Sequence, residues 1–256
     1  MLSKQQVKYI QSLNQKKFRT AEGVFLAEGP KIVAELLASH HIEPVLLYGT
    51  EDWWQQAPAS QLTTDQQVEI SVLELEKISL LPAPNGVLGI FRQPRFQVLG
   101  PLQGTWSLVL DGLQDPGNMG TIIRTADWFG ISLIVASSDS ADVFNPKVVQ
   151  STMGSIARVQ VLYEDLPLFL QRHASVPVYA STLQGKPVSL LTHPDPGFLL
   201  IGNESKGVRP ELLRLAAQQL TIPRIGQAES LNAAVAAGIL LSQLCRDAAY
   251  TGTAVE

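Results

Sequence analysis

From residue 106 onward, short apolar runs recur with helical patterns between most of them. The runs are Trp106–Leu110, Ser132–Ala136, Val159–Leu162, Pro177–Ser181, Phe198–Gly202 and Leu220–Pro223. Apolar residues predominate in these runs, which read as strands. Strands that alternate with helices assemble as βαβ units, which predicts an α/β fold with a mostly parallel sheet under helical layers. Ligands on such sheets bind outside the carboxyl ends of the strands. The loops that follow these runs are therefore where function is to be sought.

The first part of the chain reads as a smaller α/β unit of about 95 residues, within the common size range of one domain. Residues 23–49 predict strand, helix and strand, with Pro30 opening the helix and Ile32, Val33, Leu36 and Leu37 at helical spacing. Residues 72–81 predict a second helix and residues 85–91 a further strand. Two prolines and two glycines in residues 92–104 mark a linker. With 45% apolar and 16% charged residues, the chain is too apolar for disorder. Its apolar runs fall far short of the roughly 20 residues that span a bilayer. The polar first residues do not resemble a signal peptide, so a cytoplasmic protein is expected.

Several chemistries are excluded. Cys245 is the only cysteine, which rules out an internal disulfide framework and a cysteine-based zinc site. His40, His41, His173 and His193 show no metal-ligand spacing, and no metal is expected. There is no G-x-S-x-G elbow, and the glycines of residues 111–120 fit neither a P-loop nor a dinucleotide fingerprint. The net charge of −4 argues against nucleic acid, but residues 1–31 alone carry +4. Lys16, Lys17 and Arg19 lie in that segment and are candidate RNA contacts, as is Lys147 further on. Tyr9 and Phe18 among the lysines either stack on bases or belong to the core of the first helix.

Four loops rich in small and polar residues follow strand ends: 111–120, 145–158, 202–207 and 221–232. They contain Asn118, Arg124 on the helix behind the first loop, Glu204, Ser230 and Asn232. Asn118 is expected to cap that helix, with Arg124 roughly on its face. Asn145 before Pro146 reads as a second cap, and Ser230 or Asn232 as a third. This set forms hydrogen bonds but holds no strong nucleophile and no base poised near neutrality. It suits the positioning of two reactants, one already activated.

Together these loops resemble the three motifs of the SpoU/TrmH family of RNA ribose 2′-O-methyltransferases, within the SPOUT superfamily. Asn118, Gly120, Arg124 and Ala126 match the first motif, N-x-G-x-x-x-R-x-A. Gly202, Glu204 and Gly207 match the second, and Ile222, Pro223, Gly226, Ser230, Leu231 and Asn232 the third. Residues 25–37 and 84–91 are similar to the family's small L30e-like domain. Arg224 stands where the family often has methionine, and Ala233 where valine is common.

The resemblance implies an RNA substrate-recognition domain over 1–97, a linker over 98–105 and a SPOUT catalytic domain over 106–256. It implies a deep trefoil knot in the catalytic domain. It implies 2′-O-methylation of a ribose in structured rRNA or tRNA, with S-adenosyl-L-methionine held by Gly202, Ile222 and Leu231. Asn118, Arg124, Glu204, Ser230 and Asn232 would be catalytic. A homodimer is implied, with Arg124 serving its own or its partner's site. A non-catalytic RNA-binding protein that has kept the fold is the alternative. A Rossmann-type NAD enzyme shares the βαβ alternation but needs the G-x-G-x-x-G opening absent here.

Overall fold

The computed structural model describes residues 1–56, 62–94 and 102–246. Of the expected linker 98–105, residues 98–101 lie outside the described residues. The chain forms two compact units, Met1–Arg95 with Asp142–Arg158, and Phe96–Ala141 with Val159–Glu256.

The first unit begins with α1 (Lys4–Ser12) and α2 (Lys16–Glu22), followed by β1 (Val24–Glu28), α3 (Pro30–Leu37), β2 (Pro44–Gly49) and α4 (Glu51–Trp54). Then come β3 (Gln67–Glu69), α5 (Val72–Ile78) and β4 (Val87–Arg92). Pro30 stands in the first turn of α3, and Ile32, Val33, Leu36 and Leu37 are buried as their spacing requires. The sheet order is β1-β4-β2-β3, antiparallel except for the β2–β3 pair. β3 has three residues and no apolar run, so its sequence carries no strand signal.

The second unit is built on six parallel strands. β5 (Ser107–Leu110) leads to α6 (Pro116–Trp128) and β6 (Leu133–Ala136). The chain then forms α7 (Pro146–Thr152) in the first unit before returning as β7 (Gln160–Tyr163) and α8 (Leu166–Arg172). β8 (Val178–Pro187), β9 (Phe198–Ile201), α9 (Pro210–Leu213), β10 (Gln218–Thr221) and α10 (Ala233–Leu244) complete it. Each apolar run read from the sequence overlaps one of these strands. The order is β10-β8-β9-β5-β6-β7. β5, β6 and β9 are buried at every position, as central strands under helices on both faces must be. The edge strands β7 and β10 are only partly covered. Among the described residues, no helix is long and apolar enough to cross a membrane.

Residues Asp142–Arg158 were expected within the second domain, yet they group with the first unit. Contacts to the N-terminal residues include an aromatic pair and two ion pairs. Phe144 packs on Phe25 with ring centroids 5.0 Å apart, Arg158 pairs with Glu35 at 2.5 Å, and Asp142 pairs with Arg19. The last contact corrects the sequence reading. Arg19 was expected beside Lys16 and Lys17 on an RNA-binding face, but it is 1% exposed. Its Nη1 donates to the carbonyls of Leu13 and Asn14 at 2.9 and 2.7 Å, and its Nη2 to Asp142. Local charge counting misses this because the acidic partner lies 123 residues away in the chain.

Removing one member of a buried pair strands the other charge. Arg19→Met should therefore destabilise the first unit by about 3–5 kcal/mol. Urea unfolding followed through Trp53 and Trp54 fluorescence checks this; an unchanged midpoint would show the pair to be energetically silent.

Candidate active site

β5 and β9 are neighbours in register, with Leu110 opposite Ile201. The loops leaving them therefore emerge side by side. This is also where the strand order reverses: β6 and β7 lie on one side of β5, and β9, β8 and β10 on the other. A crevice at such a switch point is the usual ligand site of an open parallel sheet.

A set of side chains fixes these two loops together. Asp111, 1% exposed at the end of β5, accepts from the Arg209 backbone N–H at 2.7 Å and from its Nε at 2.5 Å. Asn203 donates through Nδ2 to the Gly112 carbonyl at 2.7 Å, while its Oδ1 accepts from the N–H groups of Ser205 and Lys206, both at 3.0 Å. The N–H of Gly112 donates to Ser137 Oγ at 2.8 Å and that of Leu113 to Ser140 Oγ at 3.2 Å. At Gly202 a Cβ would lie 2.3 Å from the Gly207 carbonyl carbon and the Val208 nitrogen, so the tight loop excludes any side chain there.

The sequence expected Asn118 to cap α6. Asp115 does so instead, its Oδ1 accepting from the Asn118 N–H at 2.7 Å, with Pro116 next. Asn118 lies in the first turn, and its carboxamide is thereby released for other work. Its Nδ2 donates to Glu204 Oε1 at 3.0 Å, and its Oδ1 accepts from Asn232 Nδ2 at 2.8 Å. Asn232 in turn caps α10, accepting from the N–H groups of Ala234 and Val235. One hydrogen-bonded chain, Asn232–Asn118–Glu204, thus joins all three loops.

The other expected residues stand apart from this chain. Arg124 is exposed and, among the described residues, makes no hydrogen bond or ion pair. Six positions on a helix amount to one and two-thirds turns, so Arg124 lies about 120° round from Asn118 rather than on its face. It shares an exposed stripe with Thr121 and Trp128. Ser230 is exposed and unpaired among the described residues, and Asn232 alone takes the expected cap.

Ile222 is half-buried and Leu231 exposed on a loop with little regular structure. No backbone N–H from Arg224 to Asn232 donates to a partner among the described residues. A run of open main-chain N–H donors beside exposed Ile225 and Leu231 fits a ligand with polar edges and an apolar face. In the first unit Lys16, Lys17 and Lys147 are exposed. Tyr9 and Phe18 are each 38% exposed, against the reading of them as core, and Lys17 Nζ stands 4.7 Å over the Phe18 ring. Among the described residues, no cluster of three or more His, Cys, Asp or Glu could hold a metal.

The profile of the SpoU rRNA Methylase family matches residues 105–242, and that of the MRM3-like substrate binding domain residues 4–89. The chain belongs to the SpoU rRNA methylase family. It is 34% identical to the 23S rRNA (guanosine(2553)-2′-O)-methyltransferase RlmP of Bacillus subtilis, over 94% of this chain and 96% of that one. It is 27% identical to the mitochondrial rRNA methyltransferase 3 of Mus musculus, covering 88% and 68%. The crystal structure of an AdoMet-bound rRNA methyltransferase from Sinorhizobium meliloti superposes with a TM-score of 0.84 at 34% identity, covering 96% of this chain and 97% of that one.

In this SpoU-family chain, sequence reading missed Asp111, Asn203 and Arg209. Asp111 carried a signal: an acid directly after an apolar strand, on its buried side, requires a cation. Asn203 and Arg209 carried none, because their partners are set by the β5–β9 pairing. Gly202→Ala forces Cβ against fixed backbone and should cost about 1–3 kcal/mol. Calorimetric melting is the check, and an unshifted transition would mean that the loop can open to admit a methyl group.

Proposed function

We propose that the protein is an S-adenosylmethionine-dependent RNA ribose 2′-O-methyltransferase, acting on rRNA or tRNA. The named relatives favour ribosomal RNA. The observation that carries the reading is the Asn232–Asn118–Glu204 chain at the carboxyl edge of a parallel sheet. A protein that only bound RNA would not need three loops locked around one polar point. On this reading residues 1–97 recognise RNA, 98–105 link and 106–256 catalyse. The segment from the Gly202 loop to α10 would thread the trefoil knot. The place of work would be the cytoplasm.

S-Adenosylmethionine, when bound, supplies an activated methyl group on a sulfonium. Gly202, Ile222 and Leu231 would hold it, with the open main-chain N–H groups of residues 224–232 beside them. Asn118, Glu204 and Asn232 fix the loops to one another. Glu204 keeps an oxygen beyond the one engaged with Asn118, which can accept from a ribose hydroxyl. Ser230 offers an unengaged hydroxyl to the same sugar. Orientation of this kind contributes roughly 7–11 kcal/mol to lowering a two-reactant barrier. Guanidinium groups stay protonated in proteins, so Arg124 serves as a donor rather than a base. It would bind the nucleotide phosphate and stabilise the developing alkoxide, with the proton passing to phosphate or water. Lys16, Lys17 and Lys147 would bind the RNA backbone.

A homodimer fits the exposed apolar residues of this unit. Trp128 at the end of α6 is 85% exposed, and Ile225, Leu231 and Val235 are exposed around the start of α10. α6 and α10 pack together, a Cβ on Gly238 coming within 3.9 Å of Thr125 Cγ2. A second copy laid on this surface would cover these residues and approach Arg124. Light scattering at micromolar concentration should report a dimer, and a fully active monomer would refute it.

Arg124→Ala should lower the single-turnover rate about a hundredfold or more, the usual cost of losing a transition-state donor, while cofactor affinity stays unchanged. Arg124→Lys should recover little, since a point charge does not reproduce the planar fork. Charge reversal at Lys16 and Lys17 should instead weaken RNA binding and flatten its salt dependence, with the rate at saturating RNA preserved. An Arg124→Ala enzyme with an unchanged rate would make this arginine structural.

A further inference from the structure

The first unit contains a cavity of about 430 Å³ that the methyl-transfer residues do not use. This lies within the range of roughly 300–1,000 Å³ typical of small-molecule sites. Its apolar lining includes Leu26 of β1, Leu80 after α5 and Val149 of α7. Its polar lining includes three carboxamides, those of Asn14, Asn145 and Gln150. Among the described residues, the side chains of Asn14 and Gln150 make no hydrogen bond. Asn145 uses only its Oδ1, which accepts from the Lys147 N–H at 2.9 Å, so its Nδ2 is uncommitted. Asn145 and Gln150 are half-buried and Asn14 is exposed, so all three can turn their uncommitted groups to a ligand that enters.

The buried Arg19 explains how the walls are held. It grips the carbonyl of Leu13, that of the lining residue Asn14, and Asp142, three residues before the lining residue Asn145, and Asp142 Oδ1 accepts from the Phe144 N–H at 3.1 Å. Asn14 and the approach to Asn145 are thus fixed before any ligand arrives, which lowers the ordering cost of binding. Exposed cations adjoin the same lining residues: Lys16 and Lys17 follow Asn14 closely, and Lys147 follows Asn145.

A carboxamide presents a donor and an acceptor in one plane, the pattern that pairs with the edge of a nucleobase. An apolar wall suits the flat face. Sequence-specific RNA recognition falls mainly on unstacked bases of this kind, while the flanking phosphates take cations. We propose that this cavity is a nucleobase pocket, in which one unstacked base of the RNA is read by Asn14, Asn145 and Gln150, with Lys16, Lys17 and Lys147 on neighbouring phosphates. The identity of the polymer rests on the methyltransferase reading; the nucleobase chemistry of the cavity does not.

The test is a titration of the isotope-labelled full chain with AMP, GMP, CMP and UMP, and with single-stranded RNA tetramers, following side-chain amide resonances. The carboxamides of Asn14, Asn145 and Gln150 should shift with one base in preference to the others. The matching tetramer should bind more tightly than its mononucleotide and with a stronger salt dependence. Gln150→Leu should weaken that binding about tenfold or more. Gln150→Glu, isosteric but lacking donors, should change which base is preferred. S-Adenosylmethionine affinity should be unaltered in both variants, which verifies folding. Unmoved carboxamides, equal response to all four bases, or a mononucleotide that binds better than its tetramer would overturn the RNA-base pocket. Because no step requires methyl transfer, a protein that reads a base but methylates nothing would lose the proposed activity and keep the cavity.

Discussion

The in-register pairing of β5 with β9 is the constraint on which the site depends. These strands are far apart in sequence, and only their adjacency brings Asp111 to Arg209, Gly112 to Asn203 and Asn118 to Glu204. Burial of all four residues in each strand leaves little freedom to slide, since a slip of one residue would exchange the faces. The hydrophobic core therefore sets the geometry of the polar Asn232–Asn118–Glu204 chain. The Asp111–Arg209 pair adds a locally demanding contact, because a carboxylate at 1% exposure must be satisfied wherever it is placed.

The parallel sheet was legible because apolar residues cluster in most of its strand runs, and the periodicity between them is helical. The order β10-β8-β9-β5-β6-β7 was not, since periodicity says which residues are strands and nothing about which strands are neighbours. The same division holds at the site. Asn118, Glu204 and Asn232 could be found as polar residues in strand-end loops, and the structure joins them. Asn118 was mistaken for a cap because Asp115 and Asn118 are both good capping residues, and the choice rests on Pro116, which fixes the first turn. Arg19 was misplaced for a related reason. A basic residue among lysines looks solvated until its distant partner is known.

The assignment of Asp142–Arg158 to the first unit adds a structural point. The chain leaves the catalytic sheet after β6, contributes α7 to the neighbouring unit and returns as β7. Arg19–Asp142 and Phe25–Phe144 secure that excursion. The first unit is consequently not complete in its N-terminal residues alone, and a truncation at the linker would remove part of its packing.

The open main chain between Arg224 and Asn232 has a consequence for how this loop changes over time. If the proposed cofactor is met there by N–H and C=O groups, side-chain identity matters little, and Arg224 in place of the expected methionine leaves those groups in place. Substitutions there can accumulate with little effect on what is bound, so variation in the loop is a poor guide to altered specificity. Insertions, deletions and new prolines are different, because they move or delete the donors themselves. The information held by this segment is its path through space and its length, written in atoms that every residue shares.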